Sequence, residues 1–297
     1  MNIYIVDAFT TQVFSGNQAG VVILEAGEDY PQENFMQQLA AELKHSETAY
    51  VKQRSQETFQ IRYFTPVGEV DLCGHATIAL FSVLRDEALI SPGYYTASTR
   101  SGDLDIRVQE DCIWMDMADP KELHLFTADE SRELYRAYGL DLSHQPEGFS
   151  PKLISTGLSD IMIPVNSKTA LDEAVQDAEA VSRLSETYNA IGVHLFHVHN
   201  RDGVMAYCRN FAPLYGIIEE SATGTANGAL TYYLHRYGLI EDALENVFIQ
   251  GEAMGKPSLV RSQLFHKGGQ GLIRVGGSAV IVVKGTLWSA SKAGSPV

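Results

Sequence analysis

The chain has 297 residues, 45% hydrophobic and 20% charged, with a formal net charge of −15. That length suits one large domain or two and buries a sizeable core without covalent staples. The acidity, with no Lys/Arg block, argues against nucleic acid and anionic membrane surfaces as partners, so an anionic substrate would have to be met by local donors.

Cys73, Cys112 and Cys208 are scattered and contain no C-x-x-C pair, which argues against a disulfide framework or a thiolate zinc site. The first residues, Met1-Asn2-Ile3-Tyr4-Ile5-Val6-Asp7, lack the basic and long apolar regions of a signal peptide. No apolar run reaches the roughly 18 residues of a membrane span. A cytoplasmic protein is the resulting expectation.

Asn2 to Phe9 is β-rich and predicts a strand. Phe14 to Gly20 predicts a turn, and Val21 to Leu24 a second strand. Tyr30 to Lys44 carries Phe35, Met36, Leu39, Ala40 and Leu43 at helical spacing. Strands follow at Tyr50–Lys52 and Thr58–Phe64, then a loop punctuated by Pro66 and Gly68. Gly74 to Leu89 is apolar at most positions and predicts a buried helix. Leu104–Val108 and Ile113–Met117 predict a strand pair closing the first half.

Asp129 to Tyr138 predicts a surface helix, and the polar stretch Ser143 to Gly148 a turn-rich connection. The domain boundary is expected between Asp119 and Ser150, giving halves 1–125 and 126–297 with the last strand available to cross back. Strands are predicted at Lys152–Ser155, Ile161–Val165, Val193–His199 and Val204–Phe211, with a helix over Leu171–Tyr188. Gly224 to Tyr237 predicts a second apolar helix. Strands over Asn246–Gln250, Leu259–Ser262, Gly271–Val275 and Ala279–Gly285 end the chain, before a small polar tail after Trp288 expected to fray.

The halves echo each other. Phe64-Thr65-Pro66, Glu69 and Cys73-Gly74-His75-Ala76-Thr77 match Phe211-Ala212-Pro213, Glu219 and Thr223-Gly224-Thr225-Ala226-Asn227, with a three-residue difference in spacing. Strand–loop–helix units recur by chance. Duplication is the sharper reading, and it sets the two small-residue turns across one cleft. A helix start exposes unpaired N–H groups and partial positive charge, and small residues let a ligand approach the backbone. Two such starts make a carboxylate cradle without Lys or Arg. The competing reading is that the glycines serve only close helix packing.

Ser46-Glu47-Thr48-Ala49 places a lone carboxylate where a helix pattern gives way to a strand. Lone Glu residues are usually solvated. Partial burial would instead raise the Glu47 pKa toward the range of general acid–base work. His75 and Glu220 are placed to meet it and hold polar substrate groups. His75 as a simple helix cap, and Glu220 as a charge beside a helix end, are the plainer alternatives. Cys73 at a helix start is a candidate thiol base. A two-thiol racemase is disfavoured because Thr223 holds the matching position and Cys208 lies elsewhere. His197 and His199 share a strand face as a weak metal pair, with His194 on the other face; no metal centre is predicted. The glycine-punctuated stretch Ile249 to Ser258 does not lead into a helix, which argues against a dinucleotide site.

The ordered set of Val6-Asp7-Ala8-Phe9-Thr10, Gly16-Asn17, Ser46-Glu47-Thr48-Ala49, Cys73-Gly74-His75-Ala76-Thr77, Ala222-Thr223-Gly224, Gln250-Gly251, Met254-Gly255-Lys256-Pro257-Ser258 and Gly276-Gly277-Ser278-Ala279-Val280 resembles the PhzF-like proteins of phenazine biosynthesis, end to end. That family shares the diaminopimelate epimerase fold. The resemblance implies an α/β protein of two pseudo-duplicated domains, each a mixed sheet curled around a central helix. It further implies no cofactor, commonly a homodimer, and an isomerase that shuttles a proton between carbons of a small carboxylate substrate. It puts the acid/base on Glu47 and substrate contacts on His75, Gly224 and Thr225. Glu220, Ser46, Gly74 and Asn17 complete the expected site. The family's Asp-Pro is Glu220-Ser221 here, which predicts a displaced carboxylate and a less fixed turn.

Overall fold

The computed structural model describes residues 1–25, 27–267 and 270–287; the expected fraying after Trp288 lies outside them. The first half runs β1 (Asn2–Ala8), β2 (Asn17–Ile23), α1 (Glu33–Leu43), β3 (Glu47–Gln53), β4 (Thr58–Phe64), β5 (Glu69–Val70), α2 (Gly74–Asp86), β6 (Gly93–Thr99), β7 (Gly102–Val108) and β8 (Ile113–Asp116). The remainder runs β9 (Lys121–Leu125), α3 (Ala128–Arg136), β10 (Lys152–Ser155), β11 (Ser159–Pro164), α4 (Lys168–Glu173), α5 (Ala178–Tyr188), β12 (Gly192–Arg201), β13 (Val204–Ala212), β14 (Ile217–Glu220), α6 (Gly224–Arg236), β15 (Glu245–Gln250), β16 (Ser258–Lys267), β17 (Gln270–Gly277) and β18 (Ala279–Thr286).

The pairing repeats strand for strand. β2 runs parallel to β3, β3 antiparallel to β4, and β4 parallel to β6. In the same order β11 runs parallel to β12, β12 antiparallel to β13, and β13 parallel to β15. Two pairings tie the repeats together. β18 returns to β1, and β17 lies antiparallel to β8.

Each repeat curls round one helix. α2 is buried without a break from His75 to Leu84, and α6 is buried at Gly224, Ala226 to Thr231, Tyr233 and Leu234. A helix apolar on all sides stays in water only if sheet surrounds it. The two helices touch each other, and one continuous cluster of buried side chains joins both. The remaining helices are amphipathic and lie outside. α3 starts in a capping box, with Thr127 and Glu130 satisfying each other's backbone N–H groups.

Differences from the sequence reading have local causes. The predicted helix over Leu171–Tyr188 is two helices, because Ala174 is extended and Asp177 caps a new start through the N–H groups of Glu179 and Ala180. β2 begins at Asn17, inside the predicted turn, and β3 begins at Glu47 itself. β6, with Tyr94, Tyr95 and Thr96, was not predicted. Gly277 is required by close approach: a Cβ there would stand 2.5 Å from the Phe9 ring.

Candidate active site

The repeat extends to side chains that the sequence comparison did not include. Arg62 grips Glu69 with two hydrogen bonds of 2.7 and 2.6 Å, and Arg209 grips Glu219 with 2.9 and 2.8 Å. Each guanidinium also covers the Phe two residues on, 5.2 Å from Phe64 and 5.0 Å from Phe211. The three extra residues of the second repeat fall between Pro213 and Glu219, where Pro213–Tyr215 make a short helical turn. These clamps fix β5 and β14, the short strands that lead into α2 and α6.

The two helix starts converge. Glu47 opens β3, and His75 stands in the first turn of α2; His75 Nε2 lies 3.2 Å from Glu47 Oε2. Glu220 ends β14, and its Oε1 lies 3.7 Å from the other ring nitrogen of His75. Asn17 donates to Glu220 Oε1 at 3.0 Å and to the Ala222 carbonyl at 2.9 Å. Ser46 Oγ is 3.4 Å from His75 Nε2. So Asn17, Glu220, His75, Glu47 and Ser46 form one polar chain drawn from both repeats.

Cys73 and Thr223 are the matching N-caps of α2 and α6, and neither side chain caps its helix. Gly74 and Gly224 follow them. The first N–H groups of both helices therefore have no partner within the helix. A Cβ at Gly224 would meet nothing closer than 3.7 Å, and one at Gly74 would meet only the Met115 methyl at 3.3 Å. Close helix packing does not require glycine at Gly224. Glu47 from the first repeat and Thr225 from the second both line a cleft of about 720 Å³. Its walls include Leu72, Leu104 and Met115 from the first repeat and Thr156, Ile191 and Tyr215 from the second. Its described lining carries the carboxylates Glu47, Glu69, Asp71 and Asp116 and no Lys or Arg; of the expected site residues it includes Glu47 and Thr225, while His75, Glu220, Asn17, Ser46, Gly74 and Gly224 are not part of it.

Burial raises the Glu47 carboxyl above the ordinary range, and the Cys73 and Ser46 side chains pull it partly back. Burial lowers the His75 imidazole, opposed by Glu220, which favours the neutral ring. Burial also raises Glu220, with His75, Thr223 and Asn17 opposing. Cys73 Sγ lies 3.4 Å from His75 Nδ1, but burial and the Glu47 charge push its thiol well up, so it is a poor base. Cys208 is buried in the core and Thr223 donates to Glu220, so no second thiol faces Cys73.

The turn bearing Glu220 is tied down despite lacking Pro. Ser221 Oγ donates to the Gly16 carbonyl at 2.9 Å, and Gln250 donates to the Glu220 carbonyl at 2.7 Å. Gly251, at φ +85°, presses against this turn, where a Cβ would meet the Ser221 carbonyl at 2.7 Å. The expectation of a looser turn is therefore corrected: a hydroxyl bond replaces the ring constraint. Gln250 also accepts from Thr223 N–H at 3.2 Å and from Asn227 at 2.8 Å. Its place in the Gln250-Gly251 motif was visible in the sequence; its partners were not.

The three strand histidines do not converge. His194 is buried and bonded through Nδ1 to Asn210 at 3.1 Å, with burial lowering it to about 4. His197 faces the Val165 carbonyl at 3.2 Å, and His199 packs on Tyr207. Sequence reasoning also passed over Asp160, buried on β11, which burial and then Glu220 push up to about 7.

The family model described as "Phenazine biosynthesis-like protein" matches residues 6–285. An uncharacterized isomerase of Clostridium acetobutylicum is 31% identical over 298 residues, covering 96% of this chain and 97% of that protein. The Bacillus anthracis phenazine biosynthesis protein of the PhzF family superposes with a TM-score of 0.85 at 27% identity, over 97% of this chain and 99% of the other. A probable proline racemase from Agrobacterium radiobacter, at 11% identity and TM-score 0.64 over 97% and 92% of the chains, shares the fold. The repeated α/β halves, the convergent helix starts and these matches agree, and the chain belongs to the phenazine biosynthesis-like, PhzF, family.

Proposed function

We propose that this protein is a cofactor-independent isomerase that moves a proton between carbons of a small carboxylate substrate, with Glu47 as the single acid/base. The observation that carries this reading is the position of Glu47. Its Oε2 is buried, has no hydrogen-bond partner, and belongs to a carboxyl lining the cleft between the repeats. A carboxyl raised by burial is suited to accept a proton from carbon and return it. Neutral His75 and Glu220 orient polar substrate groups. The N–H groups at the starts of α2 and α6, of which Thr225 reaches the cleft, hold the substrate carboxylate, since the described lining offers carboxylates but no cationic side chain. The name isomerase carried by the Clostridium relative supports the reaction class.

The test is proton NMR of trans-2,3-dihydro-3-hydroxyanthranilate in deuterium oxide, with wild type and Glu47→Gln. Deuterium should enter at carbon with wild type, and the variant should lose about 10²–10⁴-fold in rate while staying folded. Full activity in Glu47→Gln would overturn the assignment. The second reading is a binding protein that kept the scaffold without turnover, motivated by Glu220 in place of the family's Asp. Carboxylate binding without exchange, across a screen of small carboxylates, would favour it.

A further inference from the structure

We propose that Glu47, Cys73 and His75 form a site for one thiophilic divalent ion of the zinc class, and that the bound ion switches the active site off. One donor atom from each residue lies within 4.8 Å of the other two. His75 Nε2 stands 3.2 Å from Glu47 Oε2 and 3.9 Å from Cys73 Sγ. Tetrahedral zinc, with bonds of about 2.0 Å to nitrogen or oxygen and about 2.3 Å to sulfur, asks for donors about 3.3–3.6 Å apart. Small side-chain movements close that difference.

The orientation of the donors is the second observation. Glu47 Oε2 is buried and makes no hydrogen bond, although a ring nitrogen is 3.2 Å away. The pair is close without being aligned for a hydrogen bond, which leaves a buried carboxylate oxygen with no partner. Glu220 Oε1 lies 3.7 Å from His75 Nδ1, beyond hydrogen-bond distance, and would have to close by about half an ångström to orient the ring. Among the three ligands, Glu47 is the one that lines the cleft, so solvent reaches the site from its side.

The charges balance. On binding, the Cys73 thiol loses its proton to solvent, and thiolate plus carboxylate neutralise the 2+ ion beside a neutral imidazole. The sulfur donor selects zinc or cobalt over magnesium and calcium. A metal-bound Glu47 shares its charge with the 2+ ion and is a much weaker base toward a carbon-bound proton. That inhibitory consequence rests on the isomerase reading; the binding does not.

Cobalt(II), added to chelator-treated full-length protein, tests the site directly. One equivalent should produce a thiolate-to-cobalt charge-transfer band and tetrahedral visible bands, with release of a proton. Cys73→Ser should abolish the charge-transfer band and cost more affinity than the roughly 10–100-fold an outer-sphere partner is worth. The double variant Cys112→Ser/Cys208→Ser should keep the band. So should His266→Ala, which breaks the exposed His235–Asp242–His266 cluster. A wild type without the band, or a band surviving Cys73→Ser, would overturn the site. Zinc should then stop carbon–deuterium exchange and a chelator restore it; exchange undiminished by bound zinc would overturn the switch. A wild type that exchanges no deuterium counts against the isomerase reading, whereas the cobalt band alone decides the metal site.

Discussion

Glu220 is tied at both its carboxylate and its carbonyl. Its carboxylate is held by Asn17 and Thr223, its carbonyl by Gln250, and the following Ser221 by Gly16. Such a carboxylate is positioned rather than drifting, as the orienting role proposed for it requires. Thr223→Val removes one of its donors. The expected result is a 10-fold or greater loss of exchange rate, on the order of 1.4 kcal/mol in the barrier, with little change in thermal stability. An unchanged rate would place Glu220 outside the reacting geometry.

Asp160 supplies a pH prediction at the same scale. Its carboxyl is pushed up from 3.8 to about 7 by burial first and Glu220 second, and its Oδ2 has no partner. Between those values the folded protein keeps a proton that the unfolded chain has released. Stability from this group is therefore full below pH 3.8 and falls as pH rises through about 7. His194 works in the opposite sense, losing stability as pH falls from 6.5 through about 4. Comparing wild type with Asp160→Asn isolates the Asp160 part. The variant should gain on the order of 1–4 kcal/mol relative to wild type between pH 4 and pH 8, read from urea unfolding at each pH. A difference that stays flat across that range would refute the buried carboxylic acid.

At the scale of elements, the Arg–Glu clamps hold the short strands that precede α2 and α6. Arg209 holds Glu219 and also donates to the Leu171 and Ala174 carbonyls at 3.0 and 2.8 Å, so it joins the end of α4 to β14. Both partners are mostly buried, with side chains 12% and 14% exposed. Removing one member of such a pair leaves the other uncompensated. Arg209→Gln is expected to cost about 3 kcal/mol in urea unfolding and to lower the exchange rate, because Glu219 precedes Glu220. A loss of rate with stability unchanged would mean that the clamp acts only on the site.

At the scale of the molecule, the repeats are closed by strands distant in sequence. β18 covers β1, whose other strand partner among the described residues is β2. A chain ending at Ser278 would turn β1 into an unpaired edge and expose its hydrogen-bonding groups. Such a chain is expected to aggregate or to lose its cooperative unfolding transition, checked by light scattering and circular dichroism. A soluble, cooperatively folding truncation would show that β18 is dispensable.

Much of this architecture was legible in local pattern. The apolar runs after Gly74 and Gly224 announce enclosed helices, because only a surrounding sheet hides an apolar helix on every side. The repeated Phe, Pro and Glu positions announce the duplication, and Ser46-Glu47 announces a carboxylate at a strand start. The Arg62 and Arg209 clamps, the Ser221 hydroxyl that replaces a proline, and the buried Asp160 were not legible. Each depends on a partner across the fold: Gly16 for Ser221, the α4 carbonyls for Arg209, Glu220 for Asp160. Residue types along one chain determine periodicity, helix starts and which faces must hide from water. Distances between groups far apart in sequence, and the burial that shifts their proton affinity, exist only once the sheets have closed around both helices.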